Sequence, residues 1–309
     1  MKDVSEKIAS LVLKIKALQP EFEQLSNSYR IKIREEESRS PAGPIYSGRY
    51  WRFVAYCDAL VRIRILTERN FLFLETFGLL SMTRYLLELT VWMKLLEQDE
   101  RYGLLYNRML LVDNQSYYQR LVEQLQREIA FLNRCDSMEK AKREALTQST
   151  DQNESDRENI SSAWKAIGEE VDEIAANQFS MYSDDAVTNG YSFQAYLVEK
   201  KAMPVAQEGL DEAEVALAQF DQNGMAALSE IRPKKWNWSE MSTKVGMADE
   251  YEFIYSYTSR MLHATPISLT TDQKSLEDVE VYVMLRYCAV KMNEVFTVAR
   301  RHLNVSTLH

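Results

Sequence analysis

The chain is short of the residues that break helices: 9 Gly and 6 Pro occur in 309 residues, against average usage of roughly 7% and 5%. So few breakers exclude a fold of many short strands and tight turns, and favour long helices. Cysteine is scarce too. Cys57, Cys135 and Cys288 are odd in number and share no CxxC spacing. That argues against a disulfide framework and for reduced thiols in a cytoplasmic protein. With three histidines, no HExxH and no ExxH pair facing matching carboxylates, no metal site is expected. Neither a GxGxxG nor a GxxxxGK[ST] phosphate loop occurs, and no cofactor is assigned. Basic charge is in deficit, with 37 Lys and Arg against 46 Asp and Glu and a net charge of −9. This excludes broad, nonspecific attraction to nucleic acid but leaves room for a local basic cleft. Long apolar runs are missing as well. Residues 71–96 are the most hydrophobic region, yet Glu75, Arg84, Glu88 and Lys94 interrupt it. Charges are costly at mid-membrane, so this is read as a buried helix and no membrane association is expected. The N-terminus, MKDVSEKIASLVLKIK, mixes charges through its apolar positions and lacks a signal-peptide core.

What is present is helical periodicity. Hydrophobic residues are 46% and charged residues 27%, an ordinary globular balance. Val4, Ile8, Leu11, Val12, Ile15 and Leu18 form a stripe, Pro20 breaks it, and Phe22, Leu25, Tyr29 and Ile33 continue over residues 21–37. These two helices are expected as an N-terminal arm or hairpin (residues 1–40), set off by the Pro- and Gly-bearing stretch 38–48 from a main bundle (41–309). In the bundle, helices are expected over 50–77 and 79–98, separated or kinked near Gly78, and over 101–112 and 114–147. A polar turn at 148–159 and a helix near 159–179 follow. Residues 180–190 are expected to be irregular, 192–220 helical with a break near Pro204, and 276–303 a final helix. The fold class is all-α, a multi-helix bundle of long helices.

The stretch around His263 concentrates chemistry. Tyr255, Ser259 and His263 recur every four residues, which places phenol, hydroxyl and imidazole on one helix face, with Pro266 setting His263 in the last turn. A serine nucleophile is disfavoured there, because mid-helix amides are already bonded and cannot build an oxyanion hole. Arg84 and Glu88 form an i,i+4 pair in an apolar helix. Such a pair is either an internal salt bridge or the wall of a cleft, and Glu75 can join it. Arg260 lies beside the second group. His302 and His309 read as surface residues. Lys234 and Lys235 abut Trp236 and Trp238, a pattern read first as a loop anchored by tryptophans.

The Arg-x3-Glu helix (Arg84, Glu88), the tryptophan connection (Trp236) and the Tyr-x3-Ser-x3-His helix (Tyr255, Ser259, His263) followed by Pro266 resemble a group of bacterial helical proteins known only as a domain of unknown function. The resemblance covers residues 50–301 and implies a helical fold with a shared polar site. A remoter similarity is to the HEPN (higher eukaryotes and prokaryotes nucleotide-binding) superfamily, whose Arg, four to six residues, His signature is not met by Arg260 and His263. The leading expectation is a polar cleft of Arg84, Glu88, Tyr255, Ser259 and His263 that binds a small anionic ligand, a nucleotide or a partner segment. Two alternatives stand beside it. One is a metal-independent ribonuclease or defence effector with His263, Arg84 and Glu88 catalytic and RNA as partner. The other is a scaffold that forms a homo-oligomer or binds a protein partner through its N-terminal helices.

Overall fold

The computed structural model describes residues 4–39, 44–69, 76–149, 154–231, 233, 235–262 and 276–306. The fold is all-α, and no strand occurs among the described residues. In chain order the helices are α1 (Val4–Ala17), α2 (Gln19–Arg39), α3 (Gly48–Arg69), α4 (Thr76–Gln98), α5 (Arg101–Ser149), α6 (Glu154–Asn177), α7 (Ser183–Asn189), α8 (Tyr191–Leu197), α9 (Met203–Leu228), α10 (Trp238–Lys244), α11 (Ala248–Leu262) and α12 (Asp278–Ser306). A π-helical turn, Val198–Ala202, joins α8 to α9.

The chain divides into two compact units, one formed by residues 1–108 and 222–309, the other by residues 109–221. The boundary expected near residue 40 therefore falls inside the first unit. Its α2 lies along α3, α4 packs on α12 and on α11, and α1 rests on α12. Phe22, Tyr29, Phe53, Tyr56, Leu60, Leu80, Leu86, Leu87, Met292 and Val295 fill the core. Phe22 meets Phe296 edge-on, with ring centroids 5.5 Å apart. Because α2 supplies Phe22 and Tyr29 to that core, it is a structural layer rather than a free arm. The second unit has its own core, built from Val122, Leu125, Phe131, Leu132, Cys135, Ile167, Val171 and Ala195. There the buried Glu128 carboxylate accepts from the Ser180 hydroxyl and from the Met181 and Tyr182 amides at 3.3 and 3.2 Å, fixing the turn into α7.

Several local expectations change for identifiable reasons. Gly78, where a break or kink was expected, lies inside α4. Gly78 sits in the first turn of α4, where its amide needs no intrahelical acceptor. Residues 101–112 and 114–147 are one helix. Asp113 and Asn114 cost a helix interior only about 0.7 kcal/mol each relative to Ala, too little to stop it. Residues 183–189, expected to be irregular, form α7. Pro204 stands in the first turn of α9, directly after the π turn, where a missing proline N–H is tolerated. His302, read as a surface residue, is buried at 7% exposure.

Two termini matter for the site. Ser47 caps α3 by accepting from the Tyr50 amide at 3.2 Å. Asp99 caps α5 by accepting from the Arg101 amide at 2.8 Å. The two helix starts touch backbone to backbone: a Cβ on Gly103 would lie 2.2 Å from the Gly48 carbonyl oxygen, and one on Gly48 would lie 2.5 Å from that of Glu100. Only glycine allows this approach, which holds the start of α5 against α3.

Candidate functional site

Arg84 and Glu88 lie one turn apart on α4, and α11 crosses the same face. The Arg84 Nε donates to Glu88 Oε1 at 3.1 Å, and its Nη1 donates to Ser259 Oγ at 3.4 Å. The guanidinium carbon stands 4.4 Å from the centroid of the Tyr255 ring, within cation–π range. Tyr251 stacks on Tyr255 with centroids 4.9 Å apart. Arg84, Glu88, Tyr255 and Ser259, separated by about 170 residues of chain, thus meet in one half-buried cluster. Burial works against the Arg84 charge, but the hydrogen bond and charge of Glu88, and then Tyr255, outweigh it and raise its pKa. Arg260 is exposed near the end of α11 and makes no ion pair with a described residue. Glu75, Lys234, His263, Pro266 and His309 lie outside the described residues.

Glu88 also lines a pocket on the other side of α4. This cavity of about 640 Å³ is bounded by Ala55, Asp58, Ala59, Val61, Arg62 and Ile65 of α3, Tyr85, Leu89, Trp92 and Met93 of α4, Tyr106 of α5 and Trp238 of α10. The Tyr106 hydroxyl donates to Asp58 Oδ2 at 3.2 Å. Asp58 is exposed at the pocket, and partial desolvation raises its pKa, with the Tyr106 bond opposing. Burial likewise raises the Tyr85 pKa, and the nearby Arg62 charge opposes it.

An aromatic column backs the pocket. Trp92 stacks on Trp236 with centroids 4.4 Å apart and planes 12° from parallel. Tyr106 meets Trp92 edge-on at 5.9 Å, and Trp238 meets Trp236 edge-on at 5.3 Å. The connection carrying Trp236 is fixed by Asn237, whose Oδ1 accepts from the Ser239 and Glu240 amides and so caps α10. The helix ends at Gly246, whose φ of 71° suits glycine. Trp236 and Trp238 anchor their loop, and Trp238 lines the pocket together with Trp92.

Asp58, Arg62, Tyr85 and Tyr106 were not singled out from the sequence. The signal was available, since Asp58 and Arg62 are an i,i+4 charge pair in the apolar run of α3, the same pattern that marks Arg84 and Glu88. Tyr106 has no such mark, because only the Gly48–Gly103 approach brings α5 to α3.

The described residues contain no group of three or more His, Cys, Asp or Glu placed to hold a metal ion. No described helix is long and apolar enough to cross a membrane. No curated protein and no solved structure matches the chain. One family model spans residues 53–280, which include most of α3, all of α4 and α11, the tryptophan connection and the whole pocket lining. The chain belongs to that family, a family of unknown function (DUF5677).

Proposed function

We propose that this protein is a small-molecule-binding module whose site is the α3–α4 pocket, with the Arg84–Glu88–Tyr255–Ser259 cluster as its supporting wall. The carrying observation is the pocket itself: about 640 Å³, lined by tryptophan and tyrosine, with the Asp58 carboxylate open to it. Ligand sites are concave and mostly apolar, with a few fixed polar groups, and this volume falls within their usual range. Arg84 draws Glu88 into position and holds α11 against α4, so the cluster fixes the pocket rather than receiving the ligand. An anionic ligand at Arg84 is disfavoured because Glu88 already neutralises that charge. The same engagement weighs against the RNA-cleaving alternative, in which Arg84 would have to release Glu88 and Ser259 to steady a phosphate. The scaffold alternative draws less support because Phe22, Leu25 and Tyr29 of α2 are buried within the first unit. The three cysteines are free and buried, which supports a cytoplasmic placement.

Tryptophan fluorescence tests the reading, because Trp92 and Trp238 line the pocket. A panel of organic cations, nucleotides and amino acids is titrated into the wild-type protein and into Val61→Trp, which fills the pocket from its half-buried rim. The expected result is a saturable change with at least one member that disappears in the variant while its melting temperature is retained. A binder equally tight in both proteins would place the site elsewhere. No binder in the whole panel would remove the proposal.

A further inference from the structure

Resting on the pocket as a ligand site, we propose that its ligand is a small organic cation, an ammonium group on a compact apolar body. Asp58 and Arg62 stand one turn apart on α3 and both line the pocket, and Tyr106 donates to Asp58 at 3.2 Å. Tyr106 in turn meets Trp92 edge-on. The carboxylate therefore stands beside the aromatic rings of the lining.

A positive group placed there gains from the Asp58 carboxylate and from nearby aromatic rings, whose quadrupoles favour cations. The Tyr106 proton is committed to Asp58, so that hydroxyl presents its oxygen to the pocket as an acceptor. Glu88 contributes another acceptor, while Arg84 neutralises its charge at 3.1 Å. An anion at the same position would face a carboxylate and π-electron density. Arg62, the basic residue among the described lining residues, lies one helix turn from Asp58 and suits a polar tail of the ligand. The apolar lining residues Ala55, Ala59, Leu89 and Met93 fit the methylene or methyl groups around an ammonium centre.

Three probes of similar shape decide the charge preference by ligand-observed NMR and calorimetry: choline, its uncharged isostere 3,3-dimethylbutanol, and the anion 3,3-dimethylbutanoate. The expected order is choline tightest, by about tenfold over the alcohol, with the anion weakest. Asp58→Asn should lower choline affinity by a similar factor and leave the alcohol unchanged. The wild-type comparison needs no variant, so it stands even if Asp58→Asn folds poorly. Alcohol or anion binding as tightly as choline would overturn the cationic class and leave the pocket as a site. Choline failing to bind while a nucleotide or amino acid from the panel binds would do the same. No binding by any probe or panel member would overturn both readings.

Discussion

His302 is the residue where burial has the clearest consequence. Its Nε2 accepts from Arg52 Nε at 2.7 Å, which leaves the proton on Nδ1 to be donated to the Tyr29 hydroxyl at 3.1 Å. Tyr29 then donates to the Ala299 carbonyl at 2.7 Å. Burial first, then the Arg52 and Arg49 charges, pull the His302 pKa down to about 3. The unfolded imidazole takes up its proton near pH 6.5 while the folded one stays neutral. Stability from this group is thus complete above that pH and is lost as pH falls towards 3. Urea unfolding at pH 7.5 and 5.5 should show a loss of about 1 kcal/mol from this source, absent in His302→Gln, whose amide can still accept from Arg52. Equal pH dependence in both proteins would contradict the neutral assignment. Arg84→Met should cost about 1–2 kcal/mol by leaving Glu88 half-buried and unpaired, and adding Glu88→Gln should recover part of that loss in the double-mutant cycle. At this scale the sequence was partly legible. The spacing of Arg84, Glu88, Tyr255 and Ser259 marked residues that meet, whereas His302 carried no mark, because its burial depends on aromatic partners from α2 and α3.

At the scale of the elements, the Gly48–Gly103 contact sets how α5 approaches α3, and through it where Tyr106 stands. Gly103→Ala puts a methyl group 2.2 Å from a backbone carbonyl oxygen, which cannot move aside as a side chain could. The expected cost is about 2–3 kcal/mol, read as a lower urea midpoint with an unchanged slope. A neutral or stabilising effect would contradict the close approach. Helix existence and type were legible because the apolar period is strong and breakers are few. Helix ends were less so. Gly78 and Asn114 look like punctuation in the sequence, but a glycine in a first turn costs little and a single asparagine cannot outweigh the packing of a 49-residue helix. The glycines that do matter, at 48 and 103, act through a partner far away in sequence, which one chain read alone does not reveal.

For the whole molecule, the prediction concerns residues 1–40. The sequence left open an arm or hairpin and a cap on the main bundle, and Phe22 and Tyr29 are 1% and 0% exposed, with Tyr29 bonded to α12. Deleting this segment should therefore abolish cooperative unfolding of what remains, since each large side chain removed from a core costs about 3–5 kcal/mol. A truncated protein with a melting transition close to the parent's would contradict this assignment of α2. All-α architecture and membership of the family follow from pattern and motif. The pocket does not, because its walls come from α3, α4, α5 and α10 and are assembled only by folding. The central claim is that this pocket binds a small ligand, and the indole N–H resonances of the five tryptophans test it most directly. On titration with the tightest panel member, the signals of Trp92, Trp236 and Trp238 should shift together and saturate while that of Trp164 stays in place. Shifts confined to Trp51 or Trp164, or no saturable shift at all, would contradict the account.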